Sequence, residues 1–524
     1  MTGIGAVISN NLPILAIAIP LLGGFFIPLL GILAERAGAP KAKDYFALII
    51  AILTFLCMIP IAKSVVMDGE IWVYQLAGRF PPWGINLAID GLSLLAGIIA
   101  SGMTLLVVVF SIGFMDGETG LDKYYLLLLI MCAGMIGISF TGDVFNLYVF
   151  FEIMSISSYA LVAFYRSGKS LEGSFKYLVM GTVGTVSILW GVAIVYGLTG
   201  TLNIADLSVR LTAIRQVAPG VPISIILAIA LFVTGFGIKI GMVPLHTWLP
   251  DAYQAAPSSI AAILAGGTTV VGVAALLRVT YLLFYAFPIG YMFIGLGLIT
   301  MVVGAFMALV QDDLKRLLAY SGISQMGYIL LGVGIGGLGG YAGISVVAAD
   351  NGFRGGLFHM LNNAIYKPLL FLCAGAVIYR VGTSKMDDIG GLARKMPVTA
   401  VAFIIGALAL AGIPPLNGFL SKWTIYVASY QVNPILTVIA VVISGLTLAY
   451  LLKAFSMVFL GPTPAKFEDI QEAPASLLVP MVILAALCIV VIVLPLLDFP
   501  IIKPAWKSLS DHVPYIKAVL GGVS

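Results

Sequence analysis

Charge is what this sequence has least of. Asp, Glu, Lys and Arg make up 10% of its 524 residues, against about 25% in a soluble domain. That deficit excludes an ordinary water-soluble globule. The net charge of +4 on a chain that is 61% hydrophobic says little about nucleic acid, and none is expected as a partner. Cysteine is also scarce. Cys57, Cys132, Cys373 and Cys488 stand singly in apolar runs, with no CxxC, which suits buried thiols and argues against disulfides, zinc or an iron–sulfur cluster. HExxH is absent, SGKS at 167–170 lacks the upstream glycine of a phosphate loop, and GVGIGG at 332–337 follows no strand. No metal or cofactor is expected. Polar stretches never exceed about twenty residues, so no soluble domain interrupts the chain.

What is abundant is apolar length. Runs that can cross a bilayer, each needing about 20 residues, recur from end to end, and the mean hydropathy is +1.10. The sequence reads as all-α and polytopic, with about fourteen spans centred near residues 22, 53, 98, 131, 154, 186, 233, 272, 299, 328, 367, 410, 447 and 486. The first run, from about Leu12 to Leu33, has no basic segment before it and reads as a span, not a cleaved signal. Connections such as Thr141–Asp143 are short enough to imply antiparallel neighbours. Between the sixth and seventh spans, Leu207, Leu211 and Ile214 fit a short interfacial helix, and an ordinary polar loop fits as well. With the N-terminus outside, fourteen Lys and Arg fall in inner loops and eight outside. The excess of positive charge belongs to the cytoplasmic side, so both termini are expected to be extracellular.

The few charges inside the spans are the candidates for function, because an unpaired charge at membrane depth costs roughly 2.5–3.5 kcal/mol or more. In GFGIKIGMVPLHTW, Lys239 lies in an apolar helix that Pro244 should kink or split. Broken backbone at that depth is tolerated only where protein or a water-filled cavity satisfies it. Tyr148, Glu152, Ser155 and Tyr159 follow at spacings of 4, 3 and 4, so they share one helix face, expected to look into the bundle. Glu152 reads as a proton-carrying carboxylate and as the natural partner of Lys239; a static ion pair holding two helices is the plainer alternative. His359, Asn363 and Lys367 are four apart and form a second polar stripe. Imidazole can donate and accept, so it could relay protons towards Lys367, and Pro368 should break or kink the helix just after. In ALALAGIPPLNGFLSKW, Gly412, Pro414, Pro415 and Gly418 interrupt the run before Lys422. Two interrupted spans, the seventh and twelfth, each with one lysine, point to internal repeats with a path between them. Snorkelling of Lys422 to an interface is the alternative. Asp90 and the QDDLKR cluster at 311–316 sit at span ends, where solvated or structural roles are the default.

TGDVFNLYVFFEIMSISSY, KIGMVPLHTWLPDAYQAAPSSI, QDDLKRLLAYSGISQMGY, HMLNNAIYKPLLFLCAGAV and GIPPLNGFLSKW occur in this order. From about Asp90 to Gly461 the chain resembles the antiporter-like subunits of Mrp cation/proton antiporters, respiratory complex I and membrane-bound hydrogenases. The wording TGDVFNLYVFFE is most similar to the Mrp D-type subunit and its archaeal hydrogenase counterpart. The absence of a long helix after the fourteenth span is expected to place it with that shorter group. The resemblance implies two inverted five-helix repeats, so the expected division is 1–120, 121–287 (spans 4–8), 288–461 (spans 9–13) and 462–524. It also implies a lateral proton path through Glu152, Lys239, His359, Lys367 and Lys422, with His246, Asp251, Thr268, Thr269, Asn363, Pro244 and Pro414 in support. Three positions depart from the family pattern. Val270 stands where a lysine usually links the repeats, Asn363 replaces a histidine, and Pro368 follows Lys367 where a small residue is usual.

The expected function is that of an ion-translocating subunit in a multisubunit complex of a prokaryotic cell membrane. Its partners would be the lipid bilayer and other membrane subunits, its cargo protons, with sodium as the second candidate ion. The complex would be either an Mrp-type Na+/H+ antiporter or redox-driven, with all electron chemistry in partner subunits. A structural subunit with an interrupted path rests on Val270 alone. A polytopic transferase is disfavoured because the titratable groups lie mid-span.

Overall fold

The computed structural model describes residues 10–39, 41–217, 220–285, 287–339 and 344–521. Thirteen helices among them are long and apolar enough to cross a membrane. A shorter apolar helix, Pro397–Ala411, continues into Asn417–Val432 and supplies the twelfth crossing in two pieces. The expected all-α, polytopic bundle is what the chain forms. Its spans bury themselves unequally. The eighth span, Ser258–Leu283, is buried along all of its most apolar stretch and the tenth, Leu314–Gly336, along 94%, whereas the thirteenth, Pro434–Phe459, is only 28% buried. The bundle therefore has a protein-enclosed centre and an apolar rim.

Small residues let the central helices approach closely. On the ninth span (Gly290–Leu309), Gly290, Gly297 and Gly304 recur every seven residues against backbone of the tenth; a Cβ at Gly297 would lie 2.8 Å from the Leu331 nitrogen. This is the small-residue packing that membrane helices use in place of hydrophobic attraction. GVGIGG is explained in the same way: Gly332 faces Gly356 and Gly336 faces the Phe353 ring.

The seventh span runs from Ile223 to Ile240, turns, and resumes as the short helix Leu249–Ala255. Gly241 closes the first piece at φ 70°, and Gly412 closes Pro397–Ala411 at φ 83°, the left-handed cap that glycine adopts without strain. Freed backbone finds partners, as membrane depth requires. The Trp248 indole donates to the Ile238 carbonyl at 2.9 Å, and Ser444 donates to the Ala411 carbonyl at 2.7 Å. The eleventh span, Val346–Val381, is not broken where Pro368 was expected to break or kink it. It stays helical through Pro368, whose ring seats on Gly266 of the eighth span, where a Cβ would come within 2.1 Å of Pro368 Cγ. The partner helix accommodates the proline, and the eleventh span remains whole.

Two features lie outside the expected pattern. Trp72–Gln75 (β1) and Asn86–Ile89 (β2) form an antiparallel hairpin with Trp72 opposite Ile89. Beside it, on the face where the described residues begin and end, Ile502–Ser510 and Val513–Leu520 form two short helices. The segment before the seventh span is a helix, Ile204–Val217, with Leu207 and Leu211 buried, which resolves the choice between helix and loop.

Candidate functional site

Three lysines lie in the enclosed centre, Lys239 at 6% exposure and Lys367 and Lys422 at 1% each. Lys239, in the last turn of its half-helix, donates to Ser155 Oγ at 2.7 Å and to Tyr159 Oη at 3.2 Å. Ser155 and Tyr159 of the fifth span (Val144–Val162) are buried, while Tyr148 and Glu152 are only half-buried. The stripe therefore does not look wholly inward. Its first half reaches the outside of the subunit, and its second half lines the lysine. Glu152 and Lys239 form no ion pair. Packing sets the two hydroxyls opposite the ammonium, and Glu152 acts on it only through space. An aromatic wall backs the site, with Tyr177 stacked on Trp248 at 4.0 Å and edge-on to Tyr159 at 4.5 Å.

The His359, Asn363 and Lys367 stripe is buried as a unit. His359 Nδ1 lies 3.0 Å from Ser421 Oγ, and Nε2 lies 3.2 Å from Gln325 Oε1 and 3.3 Å from Tyr366 Oη. Lys367 donates not to this histidine but to the Leu318 carbonyl and Ser321 Oγ of the tenth span, both at 2.5 Å. Asn363 Oδ1 has no partner.

Lys422 does not snorkel. It donates to the Ala411 carbonyl at 3.2 Å and Ser444 Oγ at 3.0 Å, and lies 4.7 Å over the Tyr328 ring. Ala411 ends the first half of the broken twelfth span, and a helix C-terminus carries partial negative charge that favours a cation. Lys239, in the last turn of its own half-helix, has the same support. Pro244 and Pro414 thus sit in the two breaks that place lysines on helix ends.

The remaining sequence candidates divide. Thr269 donates to the Leu264 carbonyl at 2.7 Å and meets Tyr253 Oη at 3.0 Å, while Thr268 spends its hydroxyl on the same carbonyl at 3.0 Å. Val270 is fully buried. His246 lies in the break of the seventh span, edge-on to Tyr320, its Nδ1 without a partner. Asp251 is not among the lysines. It is half-exposed and ion-paired with Lys176 at 2.7 Å and with Arg316.

Two buried cations, Arg278 and the Lys315 of the QDDLKR cluster, take partners that sequence reasoning did not supply. Arg278, ending an α-helical stretch of the eighth span, grips Asp90 with two bonds at 2.8 and 2.5 Å and also reaches Ser93 Oγ. Lys315 is buried and donates to the Ala256 carbonyl. An arginine inside an apolar run was a signal, but its partner lies 188 residues away, beyond any periodicity.

The sequence pattern of the family described as "NADH:quinone oxidoreductase/Mrp antiporter, TM" matches residues 141–447, and the pattern "NADH-Ubiquinone oxidoreductase (complex I), chain 5 N-terminus" matches 82–125. The chain is 36% identical to NADH-quinone oxidoreductase subunit N of Desulforudis audaxviator, over 94% of this chain and 97% of that one. It is 34% identical to the D subunit of the Na(+)/H(+) antiporter of Alkalihalophilus pseudofirmus, over 92% and 93%. Among solved structures it resembles a chain of the membrane-bound sulfane sulfur reductase, an archaeal respiratory membrane complex, with a TM-score of 0.85 and 30% identity over 97% of this chain and all of that one.

Proposed function

This chain belongs to the NADH:quinone oxidoreductase/Mrp antiporter transmembrane family, and on that premise we propose that it moves protons between Lys239, Lys367 and Lys422 as a subunit of a multisubunit membrane complex. One observation carries the reading. Among the described residues, none of these three buried lysines meets a carboxylate within ion-pair distance. Each is held by hydroxyls, carbonyls or helix ends, which accept hydrogen bonds from an ammonium without fixing its charge. Burial disfavours the charged form of a lysine, and a nearby carboxylate restores it. Glu152, half-exposed at the edge of the subunit, is positioned to be that carboxylate. The two broken helices and the lysine at each support the division into repeats 121–287 and 288–461. The excess of basic inner loops supports extracellular termini.

The test is proton flux into proteoliposomes holding the purified, fully assembled complex. Lys239→Arg keeps a cation but one that does not release its proton; flux should fall by about two orders of magnitude. Wild-type flux from this variant overturns the reading.

Val270 favours a second reading, in which the path is interrupted and the subunit is structural. In that case Glu152→Gln leaves transport by the assembled complex unchanged. The relatives include one named for quinone reduction and one for Na(+)/H(+) exchange. Iron and nickel in the complex purified from native membranes separate a redox-driven pump from a secondary antiporter.

A further inference from the structure

The half-helix Pro397–Ala411, whose last carbonyl Lys422 uses, has no cap of its own. Asp143, Asp313 and Ser345 cap the fifth, tenth and eleventh spans from the preceding residue, the usual local arrangement. Before Pro397 stands Met396, whose side chain makes no such bond. The cap comes instead from the loop between the thirteenth and fourteenth spans. Glu472 Oε2 accepts from the Val398 nitrogen at 2.7 Å and the Thr399 nitrogen at 3.3 Å, and Oε1 accepts from Thr399 Oγ1 at 2.7 Å. Pro397 has no N–H, so Val398 and Thr399 carry the first donors that this end must place, and one carboxylate takes both. The loop is fastened around that point, because Arg380 donates to the Glu472 carbonyl and Lys395 to the Glu468 carbonyl.

The half-helix therefore has a carboxylate at its N-terminus and the Lys422 ammonium at its C-terminus, each at the end where the helix dipole favours it. Its 15 residues, at about 1.5 Å each, make a rod of about 22 Å. Little along the rod locks it. Apart from Thr399, Phe403 and Leu410, its buried positions are Ala or Gly, and small side chains make shallow ridges. Its place along the axis is thus set at the ends, by Glu472 at one and by Ser444 and Lys422 at the other. Lys422 reaches the Ala411 carbonyl at 3.2 Å. A hydrogen bond stretched to about 3.6 Å is no longer one, so a slip of about half an ångström at Glu472 is felt at the lysine.

We propose that Glu472 is a positioning residue for Lys422: from the loop between the last two spans it fixes the half-helix Pro397–Ala411 along its axis, and with it the carbonyl on which the lysine leans. The inference rests on the proposed lysine path. Glu472 touches no transported proton and acts only through the rod.

The test uses the whole complex, with proton flux in proteoliposomes and unfolding temperature measured on the same preparations. Glu472→Ala should lower flux per folded complex about 10-fold. Glu472→Gln keeps an oxygen for Val398 and Thr399 and should stay within 2-fold of wild type. So should Glu468→Ala, which removes a carboxylate from the same loop but leaves the backbone carbonyl that Lys395 uses. Added to Lys422→Arg, Glu472→Ala should change flux less than 2-fold, because two residues acting through one contact are not additive. An undiminished 10-fold loss in that background overturns the inference. A lowered unfolding temperature with unchanged flux per folded complex in Glu472→Ala also overturns it, leaving the cap purely architectural. Should Glu472→Ala fail to assemble, Glu472→Asp withdraws the carboxylate by one methylene and should lower flux at least 3-fold; wild-type flux from it overturns the inference. Lys422→Arg alone separates the two levels. Lost flux in Lys422→Arg with full flux in Glu472→Ala means that the lysine works without the cap. Full flux in both removes the path itself.

Discussion

Two kinds of buried cation occur in this subunit, and they are treated in opposite ways. Near the face that carries the hairpin and the last two short helices, Arg278 is locked to Asp90 by a two-pronged ion pair, with Ser93 in support and the Tyr515 ring 4.9 Å away. In the enclosed centre, Lys239, Lys367 and Lys422 have no carboxylate in contact and lean on hydroxyls, carbonyls and rings. The guanidinium never gives up its proton, and its planar fork matches a carboxylate. The ammonium titrates readily when buried. The fixed pair holds helices together; in the proposed path the unpaired amines change state. Compensation, more than burial, separates an architectural charge from one that can work.

Either kind of cation can be disabled by itself. The largest effect should come from Asp90→Asn, which strands Arg278 in the interior. Removing one partner of a buried pair costs about 3–5 kcal/mol, read as a lower unfolding temperature of the purified complex, with transport per folded complex retained. Lys422→Arg is next. The lost release of a proton should lower flux about 100-fold, about 2.7 kcal/mol on the same scale, with little change in unfolding temperature. Glu152→Gln should lower flux about 10-fold, since the carboxylate acts on Lys239 only through space. Smallest is Asp251→Asn, at a half-exposed ion cluster. Partly exposed pairs contribute about 0.2–1 kcal/mol, so a shift of a few degrees at most and flux within 2-fold are expected.

Acid probes the fixed pair directly. Burial alone would raise the Asp90 carboxyl, but the Arg278 guanidinium beside it, together with hydrogen bonds from Ser93 and Ser508, holds it below the ordinary carboxylate range. A depressed value contributes stability above the ordinary value of about 4 and loses it as pH falls through the depressed one. Unfolding temperature should therefore be flat in this respect from pH 8 to about 5 and drop below about 4, and Asp90→Asn should remove part of that drop. An unfolding profile of Asp90→Asn that parallels wild type would contradict the assignment.

The spans were legible because bilayer crossing demands length and apolarity, which composition displays directly. The breaks were legible because Gly241, Pro244, Gly412 and Pro414 leave few alternatives. Contacts between helices were not. Glu152 and Lys239 were expected to pair, yet one turn of register gives the lysine to Ser155 and Tyr159. Pro368 was expected to break or kink its helix; the helix continues, and Gly266 on another helix receives the ring. The hairpin of Trp72–Gln75 with Asn86–Ile89 has strands of four residues, too short for a readable alternation. In each case the deciding partner lies far off in sequence, where local patterning has no reach.

The eighth span touches little but protein, yet it is as apolar as the spans at the rim. That apolarity has a use before the fold exists. A segment of that apolarity can leave the insertion machinery for lipid before its neighbours are in place, carrying Arg278 with it, and withdraw from lipid only as the bundle packs. Its sequence thus serves two environments in succession. Polar substitutions along it should show first as failed biogenesis, before any fault in a finished subunit could be seen.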